Sequence, residues 1–277
     1  MMSNKRKIKA MKLYKSTIRF YNEYDYLKKK NRQLNVLDFS KFDNLHYHGV
    51  NAVKFAIKKL LIREEDIVLD IGAGIGGPAR FLSHITGCRI YAIEIQKDLN
   101  DIAKKFTRVL ALKNKIKHLN NDFLIKKFKF NYFNHVVCWL SLYHIPNRKD
   151  YINKIYNILK FNGNLFIEDF YLKRTPSTKE AMILKDKFFA NSLVKKKIFT
   201  NDLINNKFKI AYSRDMTNDW KKFTLNRLNN FINEQDKIKK IHDYKTIMDL
   251  LDFYKLAHNL LNIGLLGGIK LNAIKYS

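Results

Sequence analysis

The chain has 277 residues, 46% of them hydrophobic and 13% aromatic, and its 53 basic and 25 acidic side chains give a formal net charge of +28. This apolar content argues against disorder and is enough for one large α/β domain with a sizeable core. No apolar run approaches the ~20 residues of a membrane span. The two cysteines, Cys88 and Cys138, lie in strand-like runs without the spacing of a disulfide framework or a zinc site.

The surplus of positive charge is the first feature that bears on partners. It favours an anionic partner such as nucleic acid or a membrane surface. Lysine greatly outnumbers arginine, however, and is scattered in doublets such as Lys58-Lys59 and Lys221-Lys222, which is typical of a solvated surface. We therefore expect no nucleic-acid partner, a monomer or homodimer, and a cytoplasmic protein. A mitochondrial transit peptide in the basic N-terminus is the alternative.

Hydrophobic periodicity predicts helices over residues 11–30 and 46–62, followed by alternating strands and helices. The predicted strands that follow cover 67–71, 89–93, 115–119, 133–140 and 164–170, and the helices between them cover 77–86, 97–111 and 147–160. Repeated β-α units of this length predict a parallel sheet with helices on both faces. The remaining residues predict helices over 177–206 and 220–262 and strands over 208–213 and 264–276.

This pattern predicts how the chain is organised. We expect a basic helical extension over residues 1–45 and one α/β domain over residues 46–277. The helical stretch between the last two strands, about 218–262, is a candidate lid over the strand ends.

The segment from Val68 to Gly77, Val-Leu-Asp-Ile-Gly-Ala-Gly-Ile-Gly-Gly, follows a predicted strand and opens a predicted helix. Its glycines satisfy the dinucleotide fingerprint, which alone is a weak signal. Asp70 stands two residues before the first glycine, where its carboxylate would repel a pyrophosphate. It would instead attract the ammonium and the sulfonium of S-adenosylmethionine, which has no phosphate.

Two further acids fall where an adenosine would lie. Glu94 ends the second strand and suits hydrogen bonds to both ribose hydroxyls, and Asp122 follows the third strand, where it can accept from the adenine amino group. Each acid alone is as often a solvated loop carboxylate, but all three in register with a glycine loop indicate a site. The predicted cofactor contacts are Asp70, Gly72, Gly74, Gly76, Gly77, Glu94, Ile95, Asn121, Asp122 and Trp139.

The glycine segment, Glu94, Asn121-Asp122 and the closing strand pair resemble class I methyltransferases. That resemblance implies a Rossmann-like, seven-stranded, mostly parallel sheet in the order 3-2-1-4-5-7-6, with the last strand antiparallel and a helical lid. The segment from His46 to Gly49 resembles the one that ubiquinone/menaquinone C-methyltransferases, phosphoethanolamine N-methyltransferases and sarcosine/dimethylglycine N-methyltransferases fold over the cofactor. Residues 213–220 and 266–269 also resemble segments of these enzymes. The implied activity is methyl transfer to a small organic or lipid-like acceptor.

The run from Cys138 to His144 contains the most informative departure. His144 stands where the resembling phosphobase enzymes have a catalytic histidine, but Leu140 replaces an aspartate that helps them to bind a cationic amine. This argues against phosphoethanolamine or a betaine precursor as substrate. His144 is the candidate general base, and the alternative is a histidine that caps the turn into Pro146.

Methyl transfer requires alignment and exclusion of water, and it requires no metal. Tyr47, Tyr143 and Tyr171 are predicted to contact the acceptor, although each alone is more often a packing residue. An anionic acceptor is expected to use Arg174 or Arg148. The alternatives are an RNA or protein methyltransferase, favoured by the net charge, and a non-catalytic binding protein, against which the intact glycine loop argues.

Overall fold

The structure is a computed structural model that describes residues 17–30 and 33–276. The first predicted helix is observed from Ile18 to Lys30, and residues 11–16 of that prediction lie outside the described part of the chain.

One seven-stranded sheet runs through the described residues, in the order β3-β2-β1-β4-β5-β7-β6. Its strands are β1 Ile67–Ile71, β2 Arg89–Glu94, β3 Ile116–Asn120, β4 Phe133–Trp139, β5 Leu159–Leu172, β6 Phe208–Asp215 and β7 Leu266–Lys275. β7 is antiparallel to both of its neighbours, whereas the β1–β2, β1–β4, β2–β3 and β4–β5 pairs are parallel. The predicted class I fold is confirmed.

Helices cover both faces of this sheet. They are α1 Ile18–Lys30, α2 Val36–Phe39, α3 Val50–Leu60, α4 Gly77–Thr86, α5 Lys97–Val109, α6 Arg148–Ile158, α7 Thr178–Asp186, α8 Lys196–Asn205, α9 Thr217–Asn233, α10 Gln235–Lys239 and α11 Tyr244–Asn262. Successive side chains of a strand point to opposite faces. Val68 therefore packs in the cluster of α3 and α4, while Leu69 packs in the cluster of α6 and α8. All five residues of β1 are buried, as its continuous apolar run predicts.

Two predicted helices differ from those observed, for local reasons. The helix predicted over 46–62 begins only at Val50, because His48 and Gly49 have left-handed φ values of 60° and 50°. The helix predicted over 177–206 is two helices, α7 and α8. Between them the backbone N–H groups of Asn191 and Ser192 donate to the Tyr143 carbonyl instead of continuing a helix.

The predicted lid consists of α9, α10 and α11. Trp220 of α9 is fully buried, with its ring 5.0 Å from that of Tyr47. Gly268 makes this packing possible, since a Cβ there would lie 2.2 Å from the indole. At the other end of the lid, His242 pairs with Glu23 of α1 at 2.9 Å. No helix in the described part of the chain is long and apolar enough to cross a membrane.

Candidate functional site

The loop between β1 and α4 is held against the end of β2. The N–H groups of Gly72 and Ala73 donate to the Ile93 carbonyl at 2.9 and 3.0 Å, which brings Glu94 beside the loop. Gly72 has a φ of 71°, and a Cβ there would lie 2.4 Å from the side chain of Ser141. A glycine is therefore required at this position by both backbone conformation and space.

A cavity opens over this loop at the carboxyl ends of β1, β2 and β4, with about 1070 Å³ of space including its mouth. We call it the loop cavity. Eight of the ten predicted cofactor residues line it: Asp70, Gly72, Gly74, Glu94, Ile95, Asn121, Asp122 and Trp139.

Gly76 and Gly77 do not line the loop cavity, contrary to prediction. A Cβ on Gly76 would lie 2.9 Å from the side chains of Arg80 and His118, and one on Gly77 would lie 2.3 Å from the Asp43 carbonyl. Both glycines permit close packing behind the loop, because each neighbour occupies the space that a side chain would need.

The loop cavity is acidic. Four carboxylates line it, from Asp43, Asp70, Glu94 and Asp122, and no lysine or arginine of the described chain does so. Asp43 is paired with Arg80 behind the loop, and the other three have no cationic partner among the residues that line the cavity. Burial and then the nearby Glu94 raise the pKa of Asp70 to about 7. Its Oδ2 is buried without a hydrogen-bond partner in the described structure. A buried carboxylate of this kind favours a cationic ligand, because a positive charge offsets both effects.

Glu94 joins the glycine loop to the strand beside it. Its Oε2 accepts from the Gly74 N–H at 2.9 Å, and its Oε1 accepts from the Gln96 N–H at 2.8 Å. Burial raises the pKa of this carboxyl, and these hydrogen bonds act in the opposite direction. The side chain therefore holds the loop and also lines the cavity.

His144 lies in a 3-10 turn after β4 and lines both the loop cavity and a second cavity. Its Nδ1 lies 2.9 Å from the Phe189 carbonyl, which only an N–H can satisfy. The other nitrogen, Nε2, must therefore carry the lone pair, and it has no hydrogen-bond partner within the described residues. Burial lowers the pKa of His144 to about 4, so that the ring is neutral at pH 7.

The second cavity, which we call the lid cavity, lies between the lid, α1 and the α7–α8 segment and has about 2820 Å³ of space including its mouth. It shares Leu45, Leu140 and His144 with the loop cavity. The predicted acceptor residues Tyr47 and Tyr143 line it. The two cavities therefore border each other at His144.

Three other residues predicted to contact an acceptor lie outside both cavities. The Tyr171 hydroxyl donates to Asp215, and its ring packs where a side chain on Gly267 would lie. Tyr171 packs in the cluster of α6 and α8, whereas the neighbouring Phe170 packs in the cluster that contains Tyr143 and Trp220. Arg174 and Arg148 are not available to a ligand there either, since they pair with Glu180 and Asp202.

Three residues that line or support the two cavities were not predicted from the sequence: Asp43, Arg80 and Arg227. Asp43 and Arg80 form a buried ion pair of 2.8 Å behind the glycine loop, between residues 37 positions apart. One signal was available, since Arg80 stands between Ala79 and Phe81 on a helix segment that is otherwise apolar. Arg227 lines the lid cavity from α9, and no local pattern distinguishes it from the other basic residues of that helix.

Residues 47–236, more than half of the chain, match the family described as a methyltransferase domain. The chain belongs to this family. The matched residues include the glycine loop and His144. They include most of the residues that line the loop cavity and border on the others.

Curated relatives and solved structures agree with this family. The sterol 24-C-methyltransferase of Kluyveromyces lactis is 30% identical over 111 residues, which are 40% of this chain and 30% of that protein. The phosphoethanolamine N-methyltransferase of Plasmodium falciparum is 26% identical over 174 residues, 62% of this chain and 64% of that one. The structure of Haemonchus contortus phosphoethanolamine N-methyltransferase 2 with phosphomonomethylethanolamine and S-adenosylhomocysteine has a TM-score of 0.78 at 17% identity, covering 85% of this chain and 55% of that one. The match thus spans under a third of the sterol enzyme, and the structural likeness shows the fold.

Proposed function

We propose that this protein is an S-adenosylmethionine-dependent methyltransferase whose acceptor is a small organic or lipid-like molecule. The observation that carries the proposal is the acidic loop cavity, where four carboxylates and no lysine or arginine of the described residues surround a glycine loop in a chain of net charge +28. S-adenosylmethionine presents an ammonium and a sulfonium to such a cavity. A dinucleotide would instead bring a pyrophosphate to these carboxylates, which would repel it.

The residues present fit this cofactor. Asp70 has an unpartnered, buried Oδ2 that suits the ammonium, directly or through water. Glu94 and Asp122 lie at the ends of β2 and β3, where they would accept from the ribose hydroxyls and the adenine amino group. Gly74 lines the loop cavity, and only the Leu45 side chain lies within 4 Å of where its Cβ would be, which leaves the backbone accessible to a ligand.

The chain's own residues account for the rest of the reaction. When bound, S-adenosylmethionine supplies an electrophilic methyl group, whose bond to sulfur breaks as its bond to the acceptor forms. Leu45, Leu140 and His144 border the junction where an acceptor in the lid cavity would be aligned with that methyl group. His144 Nε2 would take the proton from an acceptor nucleophile that carries one.

The proposal predicts that the protein binds S-adenosylmethionine and shows no appreciable binding of NAD. Glu94→Ala should weaken cofactor binding by about 2–4 kcal/mol, because hydrogen bonds to a charged group are lost. Isothermal titration calorimetry with both ligands measures this. Glu64→Ala is the matched control, since Glu64 is an exposed acid outside both cavities. Tighter binding of NAD than of S-adenosylmethionine would overturn the proposal.

A further inference from the structure

A row of aromatic rings lines the lid cavity from His144 to the lid. The Tyr143 ring centroid lies 3.8 Å from that of His144 and 5.4 Å from that of Phe188, which is stacked on it at 24°. Phe188 lies 6.4 Å from Phe253 of α11, at an interplanar angle of 14°. These residues all line the cavity, and Phe253 is 38% exposed. We call the three rings of Tyr143, Phe188 and Phe253 the aromatic wall.

Such a wall favours an apolar body over a small polar molecule. Aromatic side chains supply much of the apolar surface against which a ligand is buried, and Phe253, the most exposed of the three rings, offers that surface to a chain or ring system. A compact amine near His144 would leave the exposed ring of Phe253 in contact with water. The aliphatic Leu140 at the junction adds no carboxylate to hold a cationic amine there.

Arg227 supplies an anion-binding group in the same cavity. Its guanidinium carbon lies 5.6, 4.7 and 5.8 Å from the ring centroids of Tyr47, Phe223 and Tyr254. Nη2 donates to the His46 carbonyl at 3.2 Å. Within the described residues no carboxylate forms an ion pair with Arg227. Its remaining donors are therefore available to a carboxylate or phosphate, which the planar guanidinium binds well.

The acidic residues that line the lid cavity do not neutralise the positive charge of Arg227. Glu23 is engaged by His242 at 2.9 Å. The other four, all exposed, are Asp186, Glu234, Asp249 and Asp252. Salt largely screens the interaction of exposed charges beyond about 10 Å, whereas Arg227 is partly covered by three rings and is screened less.

We propose that the acceptor is an amphipathic anion, whose apolar body lies along the aromatic wall and whose phosphate or carboxylate is bound by Arg227. This inference rests on the proposed function, because it names the class of molecule that the methyltransferase would modify. It places the acceptor's reacting atom near His144, where the two cavities meet.

The probe is dodecyl phosphate, titrated by calorimetry below its micellar concentration into the protein with S-adenosylhomocysteine present. Arg227→Gln should weaken its binding by about 10–100-fold, as expected for a hydrogen bond to a charged group. Phe253→Ala should also weaken it, through lost apolar contact. Arg174→Gln and Phe130→Ala are matched controls with no expected effect, because both residues lie outside the cavity.

Two other probes test separately whether binding requires the negative charge and the apolar chain of the ligand. Dodecyltrimethylammonium has the apolar chain with the opposite charge, and phosphoethanolamine has the phosphate without the chain. Binding of either as tight as that of dodecyl phosphate would overturn the inference, as would an unchanged affinity in Arg227→Gln. If Arg227→Gln fails to fold, Arg227→Lys replaces it and should bind dodecyl phosphate more weakly than the wild type; equal binding would again overturn the inference.

Cofactor binding separates this inference from the proposed function. Wild type and Phe253→Ala should bind S-adenosylmethionine equally, and Arg227→Gln should bind it with similar affinity, because neither side chain lines the loop cavity and Arg227 reaches it only through one hydrogen bond to the His46 carbonyl. Loss of dodecyl phosphate binding with cofactor binding intact supports the acceptor site. A wild-type protein that binds no S-adenosylmethionine would instead contradict the proposed function.

Discussion

At the scale of single residues, the tautomer of His144 decides what it can do. Its Nδ1–H donates to the Phe189 carbonyl, so the free Nε2 is a proton acceptor even though the ring is buried. The alternative interpretation, a histidine that only caps the turn into Pro146, would not require an unpartnered nitrogen between two cavities. The role of His144 as base remains a prediction.

His144→Ala should lower turnover by about 10²–10⁴-fold, the usual effect of losing a general base. Affinity for S-adenosylmethionine should change little, because the acids that would hold it are untouched. In the wild type at saturating S-adenosylmethionine, turnover should fall as the pH drops toward about 4, where His144 becomes protonated, and not near the ordinary histidine value of 6.5. Steady-state kinetics across pH with the identified acceptor measures both effects.

The control for that variant is His84→Ala, which removes an exposed histidine from α4. Normal turnover in His144→Ala would assign His144 a structural role.

At the scale of elements, the Asp43–Arg80 pair fixes the glycine loop against the segment before α3. The side chains are 3% and 0% exposed, and Arg80 Nη1 also donates to the Ile75 carbonyl at 2.7 Å. The pair therefore joins the N-terminal segment, the loop and α4. Because Asp43 also lines the loop cavity, we expect this contact to hold one wall of the site in place.

Arg80→Ala should reduce the free energy of unfolding by about 3–5 kcal/mol, since it leaves a buried carboxylate without its partner. Urea denaturation followed by circular dichroism measures this. Lys97→Ala is the control, because it breaks the exposed Lys97–Asp101 pair on α5 and should cause no measurable change. An equal, small effect of both substitutions would mean that the buried pair does not stabilise the fold.

At the scale of the whole molecule, the positive charge is not concentrated at the site. The loop cavity has four carboxylates and no lysine or arginine of the described chain, and the lid cavity has five carboxylates against four such cations. Positive charge around the cavity mouth would have favoured an RNA methyltransferase. The observed distribution instead favours a solvated, lysine-rich surface around an acidic site.

RNA should accordingly bind only weakly and without sequence preference, through exposed lysines. Its affinity should fall steeply between about 50 and 200 mM salt, because such binding is driven by the release of counterions. Fluorescence anisotropy with two labelled RNAs of unrelated sequence measures this. Tight, selective binding of one of them at physiological salt would contradict the distribution of charge described above.

The sequence by itself determined the family and most of the loop cavity, because those signals are local, and the strand order followed from the resemblance to that family. An apolar run followed by glycines specifies β1 and its loop. The carboxyl ends of parallel strands meet at one edge of the sheet, so an acid at the end of such a strand lies at that edge whichever strand it pairs with. The positions of Glu94 and Asp122 at that edge therefore follow from their places in the amino-acid sequence.

Only the tertiary structure decided which residues lie together across distant segments. Arg227 contacts the His46 carbonyl across 181 positions. Tyr47 and Tyr143 line the lid cavity while Tyr171 packs away from it, although all three are tyrosines near strand ends or the predicted lid. Long-range packing chooses among such side chains, because it depends on how helices and strands meet and not on any local pattern.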